Sequence, residues 1–238
     1  MTGGRLAALI LAGAIGGCGA DAARREYLTA LRGDEQGMTR EHQIAHLDRA
    51  IALAPRRAEY REARAIYRID LRNFARARDD LDRAIALADR PYLRFLRGLT
   101  SCQSRVPRAA LADFDAAIAG QPENDQFYRG RALARAAVGD GRGALEDAEH
   151  LVRRAPQQGE SHYALGVALA ALGRDAEAVA AFDRALARRP DLVYAWAARA
   201  VSEERLGRAA NARTDRETAA ATARDRDGCA PCLDPYRY

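Results

Sequence analysis

The octapeptide LDRAIALA occurs twice in this chain of 238 residues, at 47–54 and at 81–88, an offset of 34. Aligning every similar segment on its inner small residue gives the series Ala50, Ala84, Ala117, Leu151, Ala185, Ala219, with steps of 34, 33, 34, 34 and 34. Pro55, Pro122, Pro156 and Pro190 follow at constant distance, and Gly139, Gly173 and Gly207 fall midway through their units. Each unit therefore reads helix, Gly turn, helix, Pro or polar turn. Ordering 34 residues costs roughly 1.5 kcal/mol each, about 50 kcal/mol in all. One amphipathic hairpin cannot bury enough apolar surface to offset that, so the units must lean on one another. Close helix approach needs small side chains at fixed points. The eighth position holds Leu31, Ala65, Gly98, Ala132, Gly166, Ala200, and the twentieth Gln43, Ala77, Ala110, Ala144, Ala178, Ala212.

The segment Gly159–Leu192, GESHYALGVALAALGRDAEAVAAFDRALARRPDL, resembles the tetratricopeptide repeat family. Leu165-Gly166 and Leu172-Gly173 stand where that family has them in its first helix. Ala178, Phe182, Ala185 and Pro190 match its second helix and stop, and Trp196 opens the next unit in family style. The resemblance implies an all-α fold, a right-handed α-solenoid of six two-helix repeats at 24–57, 58–90, 91–124, 125–158, 159–192 and 193–226. The first unit matches least well, and the second is one residue short near Arg90-Pro91.

A second pattern lies inside the units. Position seven reads Ala30, Arg64, Arg97, Arg131, Leu165, Arg199, and position twenty-three reads His46, Asp80, Asp113, Asp147, Ala181, Asp215. Arg appears wherever Asp does. A hairpin folded near position fifteen sets these positions side by side, which predicts four structural ion pairs: Arg64–Asp80, Arg97–Asp113, Arg131–Asp147 and Arg199–Asp215. Passive duplication of both letters is the alternative. On either account these carboxylates are structural, not paired catalytic acids.

The N-terminus differs from the rest. Arg5 precedes an apolar run, Leu6–Gly17, too short to span a bilayer as a helix. This is the pattern of an export signal. It ends in Ile15-Gly16-Gly17-Cys18, which resembles a bacterial lipobox, with an ordinary signal peptide, or a buried helix with an incidental Cys, as the alternatives. The expectation is cleavage after 1–17, acylation of Cys18, a short linker at 18–23, and an outer-membrane lipoprotein facing the periplasm. Gly19, where an inner-membrane retention signal has Asp, favours the outer membrane over the inner one.

The formal charge of +5 comes from 38 basic residues, all Arg, against 33 acidic ones. Signs alternate along the helices, as in RARDDLDRA, so a solvated face accounts for the charge and no nucleic-acid footprint is expected. No catalytic or cofactor-binding constellation is present, no phosphate loop, and no small-molecule substrate is implied. His42 and His46 are four apart but lack a third metal ligand, and His150 and His162 stand alone. Cys229-Ala230-Pro231-Cys232, in the tail 227–238, reads as a disulfide closing the chain end. A thiol-redox or metal-binding role for that motif is the rival function.

In the resembled family the first helices line a concave groove that binds peptides or partner proteins. Carried onto this sequence, the groove positions are Tyr92, Phe95, Leu99, Cys102 and Gln103, then Gln126, Arg129 and Leu133, then Glu160, Tyr163 and Val167, then Tyr194, Val201, Glu204 and Arg205. Aromatic side chains beside Arg resemble interface anchors, although Tyr92 and Phe95 have packing between repeats as their alternative. The expected role is a non-enzymatic adaptor, membrane-tethered only by its lipid and assisting assembly of an envelope complex such as a pilus or secretin.

Overall fold

The computed structural model describes residues 19–224, and every regular element there is helical. Helix α1 occupies residues 19–31, followed by a 3-10 turn at Asp34–Gln36 and by α2 (Arg40–Leu53). Then come α3 (Ala58–Asp70), α4 (Phe74–Leu87), α5 (Pro91–Gln103), α6 (Pro107–Gly120), α7 (Asp125–Ala137) and α8 (Gly141–Arg154). The series closes with α9 (Gly159–Ala171), α10 (Asp175–Arg188), α11 (Val193–Arg205) and α12 (Ala209–Arg224). The expected all-α class is the one observed. Helix α1 is already formed at residue 19, inside the stretch expected to be a linker. The Ala-rich sequence there favours helix, and Ala23 is buried against Ala50, Ile51 and Tyr60.

The chain divides into two compact units at Leu93–Arg94. In the first, α2 packs on α3 and α3 on α4. Ala30, Leu47, Ala63 and Tyr67 form one apolar cluster there, and the Tyr27 and Tyr60 rings lie 4.8 Å apart. In the second unit each helix from α6 to α12 packs on the next, and α7 also reaches α9. Its core runs through Phe95, Phe114 and Phe127, and then through Tyr163, Phe182, Ala185 and Leu192.

Sequence explains these contacts residue by residue. Small positions in successive hairpins are buried: Ala65, Ala77, Ala110, Ala144, Ala178, Ala200 and Ala212 are all 0% exposed. A Cβ on Gly98 would stand 2.8 Å from the Phe114 ring and one on Gly166 2.5 Å from Phe182, so the glycines make room for those rings. Gln43 breaks the small-residue rule yet is fully buried, because its side chain bonds Ala30 O, Asp34 and Arg40.

The turn inside each hairpin needs one residue with left-handed backbone. Gly139, Gly173 and Gly207 supply it at φ of 83°, 72° and 76°. Where the sequence has no glycine, Arg72 (57°) and Arg105 (61°) adopt the same conformation. The turn between hairpins is fastened differently. Trp196 Nε1 donates to Pro190 O at 2.8 Å, His162 Nε2 to Pro156 O at 2.9 Å and Arg61 Nη2 to Pro55 O at 3.4 Å, each reaching back six residues.

Candidate functional site

The first turns of α7 and α9 face one another across a polar cleft of about 500 Å³. Gln126, Arg129, Gln158, Glu160 and Ser161 line it, together with Gln121, Glu123, Asn124, Asp125 and Leu151. Local capping places these groups. Asn124 caps α7 by accepting from Gln126 N at 3.1 Å, and α9 begins at Gly159 behind Gln158, whose side chain makes no capping bond.

The cleft walls are held by charge. Arg154 Nε lies 2.7 Å from Asp125 Oδ1, and Arg189 Nη1 donates to Glu160 Oε1 at 2.7 Å while also gripping Asp191. Tyr194, on α11, belongs to the same electrostatic neighbourhood: burial pushes its phenol up to about 12, Glu160 adds to the rise, and Arg129 opposes it. Three of the groove residues expected from sequence, Gln126, Arg129 and Glu160, therefore share one cavity, with Tyr194 near it.

The tetratricopeptide repeat profile matches residues 159–192, the span of α9 and α10. Solved structures extend the likeness. A tetratricopeptide repeat protein from Parabacteroides merdae ATCC 43184 superposes with a TM-score of 0.72 at 13% identity, over 85% of this chain and 80% of that one. PilW, described as a widely conserved type IV pilus biogenesis factor, gives 0.70 at 17% identity, over 87% and 96%. YrrB, described as having an unusual peptide-binding site, gives 0.59 at 18%, over 71% and 88%. The fold is that of a tetratricopeptide repeat protein. No curated protein sequence matches the chain.

Other residues assigned to the tetratricopeptide groove lie elsewhere. Phe95 is 4% exposed and packs on Phe114 and Phe127, with ring centroids 6.0 and 5.0 Å away. Leu133, Tyr163 and Val167 are buried in the cluster around Phe182. These four are core, not presented surface: at their depth the adjoining hairpin closes over them. Leu99 and Cys102 are half-buried against the Phe114 cluster, and burial holds the Cys102 thiol up at about 12, protonated and unreactive. Tyr92, in the first unit, is exposed. Gln103, Tyr194 and Val201 are half-buried. Glu204 pairs with Arg216, and Arg205 Nη1 donates to Ala170 O at 3.2 Å. None of the residues from Val201 to Arg205 lines the cleft.

The structure brings all four Arg–Asp couples of the tetratricopeptide hairpins together, each with two parallel hydrogen bonds. Arg64 Nε and Nη2 donate to Asp80 at 2.9 and 2.5 Å, and Arg97 to Asp113 at 2.8 and 2.6 Å. Arg131 reaches Asp147 at 2.9 and 2.7 Å, and Arg199 reaches Asp215 at 2.9 and 2.6 Å. The aspartates are at most 5% exposed.

The same arginines also reach across to the preceding hairpin. Arg64 Nη1 also donates to Asp48 at 2.5 Å and Arg131 Nη1 to Asp115 at 2.7 Å, while Arg199 pairs with Asp183. Each acceptor belongs to the preceding hairpin and lies 16 residues before the arginine, as the buried aspartate lies 16 after it. Arg68 and Arg135 add third contacts, to Asp80 at 2.6 Å and Asp147 at 2.9 Å.

His42 is exposed, His46 Nδ1 lies 2.6 Å from Glu26, and His150 stacks on Tyr128 at 4.1 Å. Among the described residues no three His, Cys, Asp or Glu side chains gather as a metal site, and no helix is long and apolar enough to cross a membrane. Cys18, Cys229 and Cys232, with the signal 1–17 and the tail 227–238, lie outside the described residues.

Proposed function

We propose that this chain is a non-enzymatic adaptor that holds a peptide segment of a partner protein in the α7–α9 cleft, working at the bacterial envelope. The observation that carries the reading is the convergence of Gln126, Arg129, Glu160 and Ser161 on one open polar cavity of the size ligand sites commonly have, about 300–1,000 Å³. YrrB, of like fold, is described by its peptide-binding site, which supports a peptide as guest. The leader ending in Cys18 supports export and a lipid anchor, most simply in the outer membrane. PilW supports pilus or secretin assembly as the first envelope process to examine.

The test uses the full chain with its own leader in a Gram-negative host. A photo-crosslinking residue at Gln126 should trap a discrete partner from membranes, whereas one at exposed Asp115 should not. A Gln158→Trp change at the cleft rim should abolish the product at Gln126. A product that Gln158→Trp leaves untouched refutes the cleft as the binding site. Metabolic palmitate labelling that persists in Cys18→Ser refutes the anchor.

A further inference from the structure

We infer that the α7–α9 cleft selects extended segments carrying an acidic side chain, whose carboxylate is gripped by Arg129 with Ser161 beside it. This rests on the peptide-binding reading above and goes beyond it by naming the chemistry of the guest.

Arg129 is the cation at this site that the fold does not use. It is half-buried, its Nε is shielded from solvent without a hydrogen-bond partner, and among the described residues no carboxylate lies within ion-pair distance. The contrast with its surroundings is direct. The buried aspartates of the neighbouring hairpins each hold an arginine, and the cleft's own Asp125 and Glu160 are taken by Arg154 and Arg189. A guanidinium partly withdrawn from water and left unpaired is costly until an anion reaches it.

Ser161 adds a hydroxyl to the same cleft. It is 3% exposed and lines the cleft, and its hydroxyl makes no hydrogen bond among the described residues. Lining the cleft, it can donate to an acceptor on a bound guest. The first turns of α7 and α9 add their positive ends on both sides. Along the same walls, the amides of Gln121, Gln126 and Gln158 have no side-chain partner among the described residues. Each offers a donor and an acceptor, the pairing that an extended peptide backbone requires.

The probe is a random octapeptide library displayed on phage and selected on the full chain and on Arg129→Gln, Arg129→Glu and Gln158→Trp. Thermal melts check that each variant folds; Arg129 and Gln158 have no side-chain bond to lose. The wild type should enrich sequences with Asp or Glu at one fixed position. Arg129→Gln should lose that preference and bind a selected peptide about tenfold to a hundredfold more weakly, and Arg129→Glu should turn the position to Lys or Arg. If the wild type and Arg129→Gln enrich the same sequences while Gln158→Trp enriches none, the cleft binds peptides but Arg129 does not read them, and this inference fails alone. If Gln158→Trp enriches what the wild type does, or nothing is enriched, the peptide-binding reading fails and takes the inference with it. Protection by millimolar sulfate through Arg129, without any acidic preference among peptides, would make the guest a small anion and also overturn the inference.

Discussion

The fifth hairpin carries Leu165 and Ala181 where four others carry Arg and Asp, and this natural exchange sets up a quantitative test in the sixth. Asp215 is 2% exposed and its carboxylate is held by Arg199 through bonds of 2.9 and 2.6 Å. Arg199→Leu leaves that carboxylate buried without a cation, which should cost about 3–5 kcal/mol. Asp215→Ala is milder, about 1–3 kcal/mol, because Arg199 keeps exposed Asp183 and the Trp196 ring, 4.6 Å from its guanidinium. The double variant rebuilds the apolar couple of the fifth hairpin and should lie within about 1.5 kcal/mol of wild type, since buried ion pairs exchange for apolar residues nearly neutrally. The singles together then exceed the double by about 2.5 kcal/mol or more, far beyond the few tenths expected of independent sites. Urea denaturation followed by fluorescence of Trp196, the sole tryptophan, reads this hairpin directly. If the double variant costs the sum of the singles, or Arg199→Leu costs less than about 1 kcal/mol, the account of these pairs is wrong.

Gly166→Ala should destabilise by about 1–3 kcal/mol because its Cβ would meet Phe182 at 2.5 Å. In a Phe182→Leu background, which gives this repeat the Ala and Leu that the second repeat carries at the same positions, Ala65 and Leu81, the same change should be neutral or stabilising, and equal effects in both backgrounds would refute the steric reading. Arg72→Gly relieves a non-glycine left-handed residue and should raise the thermal midpoint by about 2–4 °C, less a small loss of its contact with Phe74. Burial holds the His162 imidazole below its ordinary value of 6.5. The unfolded chain therefore binds its proton first, and stability should fall as pH drops below about 6.5. His162→Gln should flatten that part of the urea-midpoint profile, and an unchanged slope would show that other groups carry it.

The hairpin register was legible because the period is carried by residues that sterics select, namely alanines that let helices touch and glycines at the left-handed turn. Positions seven and twenty-three located the four Arg–Asp couples for a related reason, since a charge buried in a hairpin needs its partner on the facing helix. The contacts from Arg64 to Asp48 and from Arg131 to Asp115 follow the same spacing in the opposite direction. They cross from one repeat into the one before it, so a pattern confined to single repeats does not show them. The candidate site was less readable. Transferred groove positions identify a helix face but not how far the next hairpin closes over it, so Phe95, Leu133, Tyr163 and Val167 looked presentable and are core. Arg129 showed no distinguishing mark in sequence; only the neighbours that pair with Arg154 and Arg189 reveal it as unused.

The arginines that bridge Asp48 to Asp80, Asp115 to Asp147 and Asp183 to Asp215 each have one acceptor in water and one out of it: the outer aspartate side chains are 53–57% exposed and the inner ones at most 4%. Dissolved ions screen the first kind far more than the second. The joint entering α9 has no such bridge, because Leu165 stands at that position. Brine should therefore slacken the joints entering α3, α7 and α11 and leave the one entering α9 as tight as before, so that ionic strength changes the stiffness of the second unit unevenly along its length.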